Sequence, residues 1–179
     1  MDLALRFSRA IDQLNTFFGW IADWLVLFSS LICAFNAMRR YAFAESSNAW
    51  LEIQWYMFAG IVLLGASYTL KTNNHVRVDI IYSIVKPRTR LWIDLFGLVF
   101  FLMPAMCALA YMSWPYFLQS YESGEISANA SGLIRWPVKL ILPLGFGLVA
   151  LQGVSEIIKR IAALKGRYVV DTKYEKPLQ

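Results

Sequence analysis

Hydrophobic residues fall in four long runs along the chain, and most polar residues lie in the segments between them. An α-helix needs about 20 mostly apolar residues to cross a bilayer, and each run approaches that length. Tryptophans lie near the ends of the runs, where indole rings prefer the level of the lipid headgroups. The pattern predicts an all-α integral membrane protein with transmembrane helices at about residues 20–38, 50–70, 91–118 and 136–158.

Two further segments have the pattern of short amphipathic helices at the membrane interface. In residues 1–16, apolar positions recur at three- and four-residue spacing from Leu3 to Leu14, and arginines occupy another face. Packing of this helix on a soluble partner is the alternative. Between the second and third runs, a short apolar stripe follows Asn74 and ends at Pro87. A helix is favoured over a strand there, because the segment joins two membrane helices and has no partner strand.

The composition excludes several classes of protein. Of the 179 residues, 58% are hydrophobic and 16% charged, whereas a soluble domain carries about 25% charged residues. The net charge of +5 comes from basic residues that flank the apolar runs without forming a stripe, so nucleic acid is not an expected partner. No cluster of histidine or carboxylate residues lies at one depth, so we predict neither an enzyme nor a cofactor in this chain.

The distribution of lysine and arginine predicts the topology. The N-terminal flank, the loop between spans two and three, and the C-terminal segment together hold 13 of the 17 basic residues. Cytoplasmic loops are enriched in such residues, which places both termini in the cytoplasm. The whole chain is then one membrane domain, and residues 166–179 form a loose polar tail.

Two carboxylates lie about one helical turn inside predicted spans. These are Asp23 in the first span and Asp94 in the third. An ionisable group in the membrane is a candidate functional residue. Both are shallow, however, and lie close to tryptophans and to basic loop residues. We therefore expect ion pairing at the interface rather than ion transport.

Charged loop residues offer further candidates. On the cytoplasmic side, Lys86 and Arg88 belong to a basic loop that could attract anionic lipid headgroups or serve topology alone. On the opposite side, the residues that could dock an external partner, or could simply be solvated, are Arg39, Arg40, Glu52, Glu122, Glu125, Arg135 and Trp136.

Several motifs resemble one family of membrane proteins. They read Glu52-x-x-Trp55-Tyr56-x-Phe58-Ala59-Gly60, Leu64-Gly65-Ala66-Ser67-Tyr68, His75-Val76-Arg77-Val78-Asp79, Arg135-Trp136-Pro137, Leu142-Pro143-Leu144-Gly145-Phe146 and Leu151-Gln152-Gly153. Together they resemble the small membrane subunit of tripartite ATP-independent periplasmic (TRAP) transporters, the DctQ-like family. The likeness extends over nearly the whole chain, including its size and its four spans.

The resemblance implies a role in the bacterial inner membrane. A periplasmic binding protein captures an organic acid, often a carboxylate. A large multi-span subunit then moves it inward by an elevator motion driven by sodium, whose ions bind the large subunit. The small subunit supports that large subunit, binds no substrate, and contacts phospholipids. His75, Arg77 and Asp79 match the motif, and we expect them to order the cytoplasmic loop or bind lipid. Glu52 matches an acidic position and could pair with Arg39, Arg40 or a partner.

A self-sufficient small solute transporter, active as a homo-oligomer, is the alternative function. Such a protein needs a deep carboxylate that faces a pore, and Asp23 and Asp94 are poorly placed for it. A membrane enzyme that acts on lipids is a third hypothesis. The first hypothesis predicts a stoichiometric large membrane partner, and the other two do not.

Overall fold

The computed structural model of this chain describes residues 2–45, 47–74, 85–130 and 132–169. Within these ranges the chain is helical apart from turns and a single β-bridge, and four of its rods are long and apolar enough to cross a membrane. The prediction of an all-α protein with four spanning helices is confirmed. The helices are α1 (Asp2–Phe43), α2 (Asn48–Lys71), α3 (Pro87–Gly97), α4 (Met103–Glu122) and α5 (Trp136–Leu164).

Helix α1 is a continuous rod of 42 residues. At 1.5 Å per residue it is about 63 Å long, roughly twice the hydrocarbon thickness of a bilayer. It contains both the predicted amphipathic segment and the predicted first span. The polar residues Ser8 and Asn15 of the amphipathic part are buried, whereas Leu3, Phe7 and Leu14 are exposed.

A π-helical turn, Leu98–Leu102, joins α3 to α4 and makes one rod of 36 residues. Its hydrogen bond spans five residues, from the Met103 N–H to the Leu98 carbonyl. Pro104 follows directly, and a proline has no N–H and crowds the carbonyl four residues earlier. The wider turn gives that carbonyl space, so the rod continues through the proline instead of breaking.

Helix α5 lies at the centre of the bundle and packs against all four other helices. Glycine allows the closest of these approaches. A Cβ atom built on Gly145 would lie 2.7 Å from Leu63 Cβ and 2.9 Å from the Leu63 carbonyl oxygen. Such contact is not tolerated, so glycine is required where α2 crosses α5.

Polar side chains occupy much of the interior of the bundle, and large apolar side chains cover its outside. The largest fully buried side chains are Gln152, Asn15 and four serines. Large apolar side chains such as Trp20, Phe100 and Phe101 are 58%, 63% and 67% exposed. In lipid an apolar exterior carries no penalty, and unsatisfied polar groups turn inward to one another.

The two ends of the bundle differ in structure. We call the end where α1 begins and α5 finishes the terminal end. The opposite end carries the outer hairpin, residues 123–130 and 132–135, which folds back on itself through an Ile126–Ile134 bridge. The Ser127 N–H donates to the Leu133 carbonyl at 2.8 Å, which fixes the turn.

Candidate functional site

A network of buried polar side chains at the terminal end is the most unusual feature of the molecule. It joins three helices, and we call it the polar cluster. Its members are Ser8, Asp12 and Asn15 on α1, Asp94 on α3, and Gln152, Ser155, Glu156, Lys159 and Arg160 on α5.

Gln152 lies at the centre of the polar cluster and is fully buried. Its Oε1 accepts from Asn15 Nδ2 at 2.7 Å. Its Nε2 donates to Asp12 Oδ1 and to Glu156 Oε1, both at 2.9 Å. One side chain thereby connects a neutral amide to two carboxylates, and it links α1 to α5.

Two cations of α5 neutralise the carboxylates. Lys159 bonds to Asp12 Oδ2 at 3.2 Å and to Glu156. Arg160 bonds to Asp94 Oδ2 at 3.1 Å and also to Glu156. The Lys159 and Arg160 side chains are 10% and 6% exposed. Buried charges are tolerated only when they are paired and hydrogen-bonded. Here each charged side chain has at least two partners or an ion pair with a residue of another helix.

The polar cluster acts as a joint between helices. Ser8 and Ser155 add a hydroxyl pair at 2.7 Å, and Ser155 Oγ also donates to Asp12 Oδ1 at 2.8 Å. Loss of one side chain from such a network leaves its bonding partners buried without hydrogen bonds. The network therefore holds α1, α3 and α5 in one arrangement. Among the described residues, no three side chains of the metal-ligating types converge.

We expected no cluster of carboxylates at one depth, and the structure corrects this, because Asp12, Asp94 and Glu156 meet in the polar cluster. The sequence nevertheless contains a signal for the cluster. Its α5 members follow the spacing of one helix face, from Gln152 through Ser155 and Glu156 to Lys159 and Arg160. The polar residues of α1, Ser8, Asp12 and Asn15, also share one face. Polar residues on one face of an otherwise apolar span indicate a buried network, but only the structure supplies the pairing.

At the hairpin end, Glu52 is 2% exposed and lies beneath the outer hairpin. It accepts hydrogen bonds from Ser127 Oγ and, at 3.0 Å, from Asn129 Nδ2. The expected pairing of Glu52 with Arg39 or Arg40 is wrong for the described residues. The hairpin covers the start of α2 and supplies the hydrogen-bond partners of Glu52. Arg39 bonds to Glu45 at 2.5 Å instead.

Glu125 fastens the base of the outer hairpin. It pairs with Lys139 of α5 and, at 3.3 Å, with Arg135. The hydrogen bond from Lys139 is the largest cause that lowers the pKa of Glu125 from 4.5 to about 2, and Ser120 and Arg135 add smaller contributions. The carboxylate therefore stays ionised at any physiological pH.

The remaining candidates of this end lie at the surface or in the hairpin junction. Arg40 and Glu122 are exposed. The indole of Trp136 packs edge-on against Tyr121, with ring centroids 5.5 Å apart. Of the predicted docking residues, Glu52, Glu125 and Arg135 thus bind within the chain, and Arg40 and Glu122 remain open to a partner.

The two predicted membrane carboxylates differ in their surroundings. Asp94 forms the expected ion pair, although its described partner is Arg160 of α5 rather than a loop residue. Asp23 is exposed on α1 and makes no hydrogen bond or ion pair with any described residue, so the ion pair expected for it is not found among the described residues. It lies in a groove between α1 and α2.

The motif between the second and third spans is only partly described. His75, Arg77 and Asp79 lie outside the described residues. Lys86 precedes α3, Arg88 lies in its first turn, and both are exposed. An exposed pair of cations beside a span is the arrangement that lipid phosphates would meet, and their lipid contact stays a prediction.

Relatives with curated functions match part of the chain. One is the C4-dicarboxylate TRAP transporter small permease protein DctQ of Vibrio cholerae, 30% identical over 116 residues, which are 59% of this chain and 47% of that protein. Another is the protein of the same name from Pseudomonas aeruginosa, 27% identical over 106 residues, 59% of this chain and 50% of that protein. The matched region thus spans about half the length of these relatives. No solved structure matches the chain.

A family model covers most of the sequence. It describes the DctQ component of tripartite ATP-independent periplasmic transporters and matches residues 29–163. This range contains α2 to α4, α5 up to residue 163, and all of the α5 side of the polar cluster. Members of this family are components of a transporter, and this agrees with the prediction that the chain is not an enzyme. The chain belongs to the DctQ component family of tripartite ATP-independent periplasmic transporters.

Proposed function

We propose that this chain is the small scaffold subunit of a sodium-coupled, binding-protein-dependent importer of organic acids. The observation that carries the proposal is the polar cluster, which locks α1, α3 and α5 together through paired, buried side chains. A subunit that carries substrate must change its shape. Any rearrangement of this bundle would leave buried charges without their partners. A fixed bundle suits a support for a moving neighbour.

The apolar exterior supports the same role. Exposed aromatic and aliphatic side chains cover all spans, from Trp20 on α1 to Phe100 and Trp114 on the α3–α4 rod. Such a surface can contact lipid or the helices of another membrane protein. The chain then stands beside a large multi-span subunit and leaves substrate and sodium to it. A periplasmic binding protein would meet the outer hairpin.

We further propose that the protein lies in the bacterial inner membrane with the terminal end in the cytoplasm. The terminal end carries Arg6, Arg9, Lys159 and Lys165 among its basic residues, whereas the hairpin end carries few. This asymmetry is that of the positive-inside rule. The exposed cations at the start of α3 would lie against anionic phospholipids.

The substrate proposal follows from the relatives, whose names specify C4-dicarboxylates. The test is uptake of radiolabelled succinate, a C4-dicarboxylate, into proteoliposomes. The vesicles hold the chain with its large subunit, the binding protein is added outside, and sodium or potassium is the external cation. We expect uptake only when all three components and sodium are present.

Each omission tests a separate part of the proposal. Uptake by proteoliposomes that hold this chain alone would overturn the scaffold role and favour the self-sufficient homo-oligomeric transporter. Equal uptake with external potassium would overturn the sodium coupling. Full uptake without this chain would show that the large subunit needs no support.

A further inference from the structure

Resting on the proposed function, we propose that the groove between α1 and α2 receives a membrane-spanning helix of the large subunit, and that a lysine or arginine of this helix pairs with Asp23. The groove holds about 300 Å³. Its floor consists of small residues, Gly19, Ala22, Gly65 and Ala66, and Asp23 lies among them.

The position of Asp23 requires a counter-charge. Lys71, at the last turn of α2, donates to Thr16 Oγ1 at 2.5 Å, which marks the level where α2 ends. Asp23 lies seven residues further along α1, about 10 Å deeper into the span at 1.5 Å per residue. A carboxylate at that depth is costly unless it is paired or reaches water.

Three carboxylates away from the helix surface show how this chain meets that cost. Glu52 accepts two hydrogen bonds, Asp94 pairs with Arg160, and Glu156 pairs with both Lys159 and Arg160. Asp23 has no hydrogen bond or ion pair to any described residue, although it faces a groove. No described side chain supplies a counter-charge to Asp23, and the proposal assigns this role to a cation of the large subunit.

The shape of the groove favours a helix as the carrier of that cation. A Cβ atom on Gly65 would lie 3.6 Å from Ala22 Cβ, so α1 and α2 lie close together along the floor of the groove. Small residues let a second helix approach closely in a membrane. A ladder of aromatic rings, from Phe17 through Trp20 and Trp24 to Phe28, stands on the exposed face of α1. These rings offer a flat contact surface to a neighbouring helix.

The charge distinguishes this groove from two others. A groove between α4 and α5, about 420 Å³ and lined by Trp114, Leu144 and Gly147, contains no ionisable side chain and suits lipid chains. A groove beside α3 contains Asp94 and Arg160, which already pair with each other. Among these three, only the α1–α2 groove presents a charge without an internal partner.

Co-purification tests the ion pair. The chain carries an affinity tag, is expressed with its large subunit, and is extracted in a mild detergent. We expect Asp23→Asn to lower the apparent affinity for the large subunit by about tenfold or more, as loss of one partner of a desolvated ion pair does. Asp23→Glu should retain most binding. The control is Asp2→Asn, which removes an exposed carboxylate at the start of the same helix.

Crosslinking tests the groove independently of stability. p-Benzoylphenylalanine at position 66 should yield an adduct with the large subunit, whereas the same probe at position 147 should label lipid. A Cβ atom at Gly147 meets nothing within 4 Å, so the control site accepts the probe. The amount of chain in the membrane is measured for every variant, and yields are compared per folded chain.

The outcomes separate this inference from the proposed function. If the wild-type chain does not co-purify with the large subunit, both fail. If the wild type binds and Asp23→Asn binds equally well, the ion pair is wrong and the scaffold role stands. Labelling of lipid alone from position 66, or equal protein adducts from positions 66 and 147, would also overturn the assignment of the groove.

Discussion

Replacing Gln152 by leucine removes the central side chain of the polar cluster at nearly constant volume. Three hydrogen bonds are lost, from Asn15 Nδ2 at 2.7 Å and to Asp12 and Glu156 at 2.9 Å. The ion pairs of Lys159 and Arg160 remain, so the substitution isolates the hydrogen-bonded centre of the joint.

The expected cost is about 3 kcal/mol in the free energy of unfolding. Hydrogen bonds between membrane helices contribute on average about 0.6 kcal/mol each, and three of them give about 2 kcal/mol. The Asn15 amide, which is fully buried, loses its acceptor and adds about 1 kcal/mol or more. A cavity contributes little, because leucine fills nearly the same space.

Unfolding by sodium dodecyl sulfate from mild detergent micelles measures this cost. The chain's seven tryptophans provide the fluorescence signal. Gln13→Leu is the control, because Gln13 is exposed on α1 at the same end; its effect should stay within about 0.5 kcal/mol. Combining Gln152→Leu with Asn15→Leu should cost less than the sum of the two single changes. If Gln152→Leu destabilises no more than Gln13→Leu, the polar cluster does not hold the bundle together.

Three further predictions concern packing, pH and topology. Gly145→Ala should destabilise by about 1–3 kcal/mol through its clash with Leu63, whereas Gly147→Ala should be neutral in the same unfolding assay. The pKa of Glu125 is lowered to about 2, so its stabilisation of the outer hairpin is complete above pH 4.5 and is lost as the pH falls toward 2. Hydrogen exchange of the hairpin should thus be alike at pH 7 and 5 after correction for intrinsic rates, and in Glu125→Gln it should be faster at both. Single cysteines in the outer hairpin of a variant without native cysteines should react with an impermeant maleimide on intact spheroplasts, and cysteines near Lys165 should not; the reverse result would invert the proposed topology.

The buried polar joint has a physical reason in the membrane. Lipid chains are as apolar as leucine, so apolar side chains gain little by packing against one another rather than against lipid. Polar groups gain more, because the alternative is an unsatisfied donor or acceptor in hydrocarbon. The chain therefore places Asn15 and Gln152 inside and Trp20 and Phe100 outside, opposite to a soluble bundle.

Particular elements show how far sequence reasoning reached. The number of spans and their approximate bounds followed from apolar run length, because a helix must cross a fixed thickness. The predicted ion pairing of Asp94 was confirmed in kind, but its described partner, Arg160, lies 66 residues away. Of the partners considered for Glu52, neither Arg39 nor Arg40 bonds to it, because a hairpin 75 residues further along the chain covers it.

The sequence by itself determined the spans, the asymmetry of charge and, through its motifs, the family. These properties depend on local composition and on the bilayer, so they can be predicted from the order of residues along the chain. The tertiary structure alone decided which polar residues meet. Ser8, Asp12 and Asn15 share one face of α1, and α5 packs against this face to complete the buried joint. Asp23 carries no such partner within the described chain, and that contrast is visible only once the helices are packed.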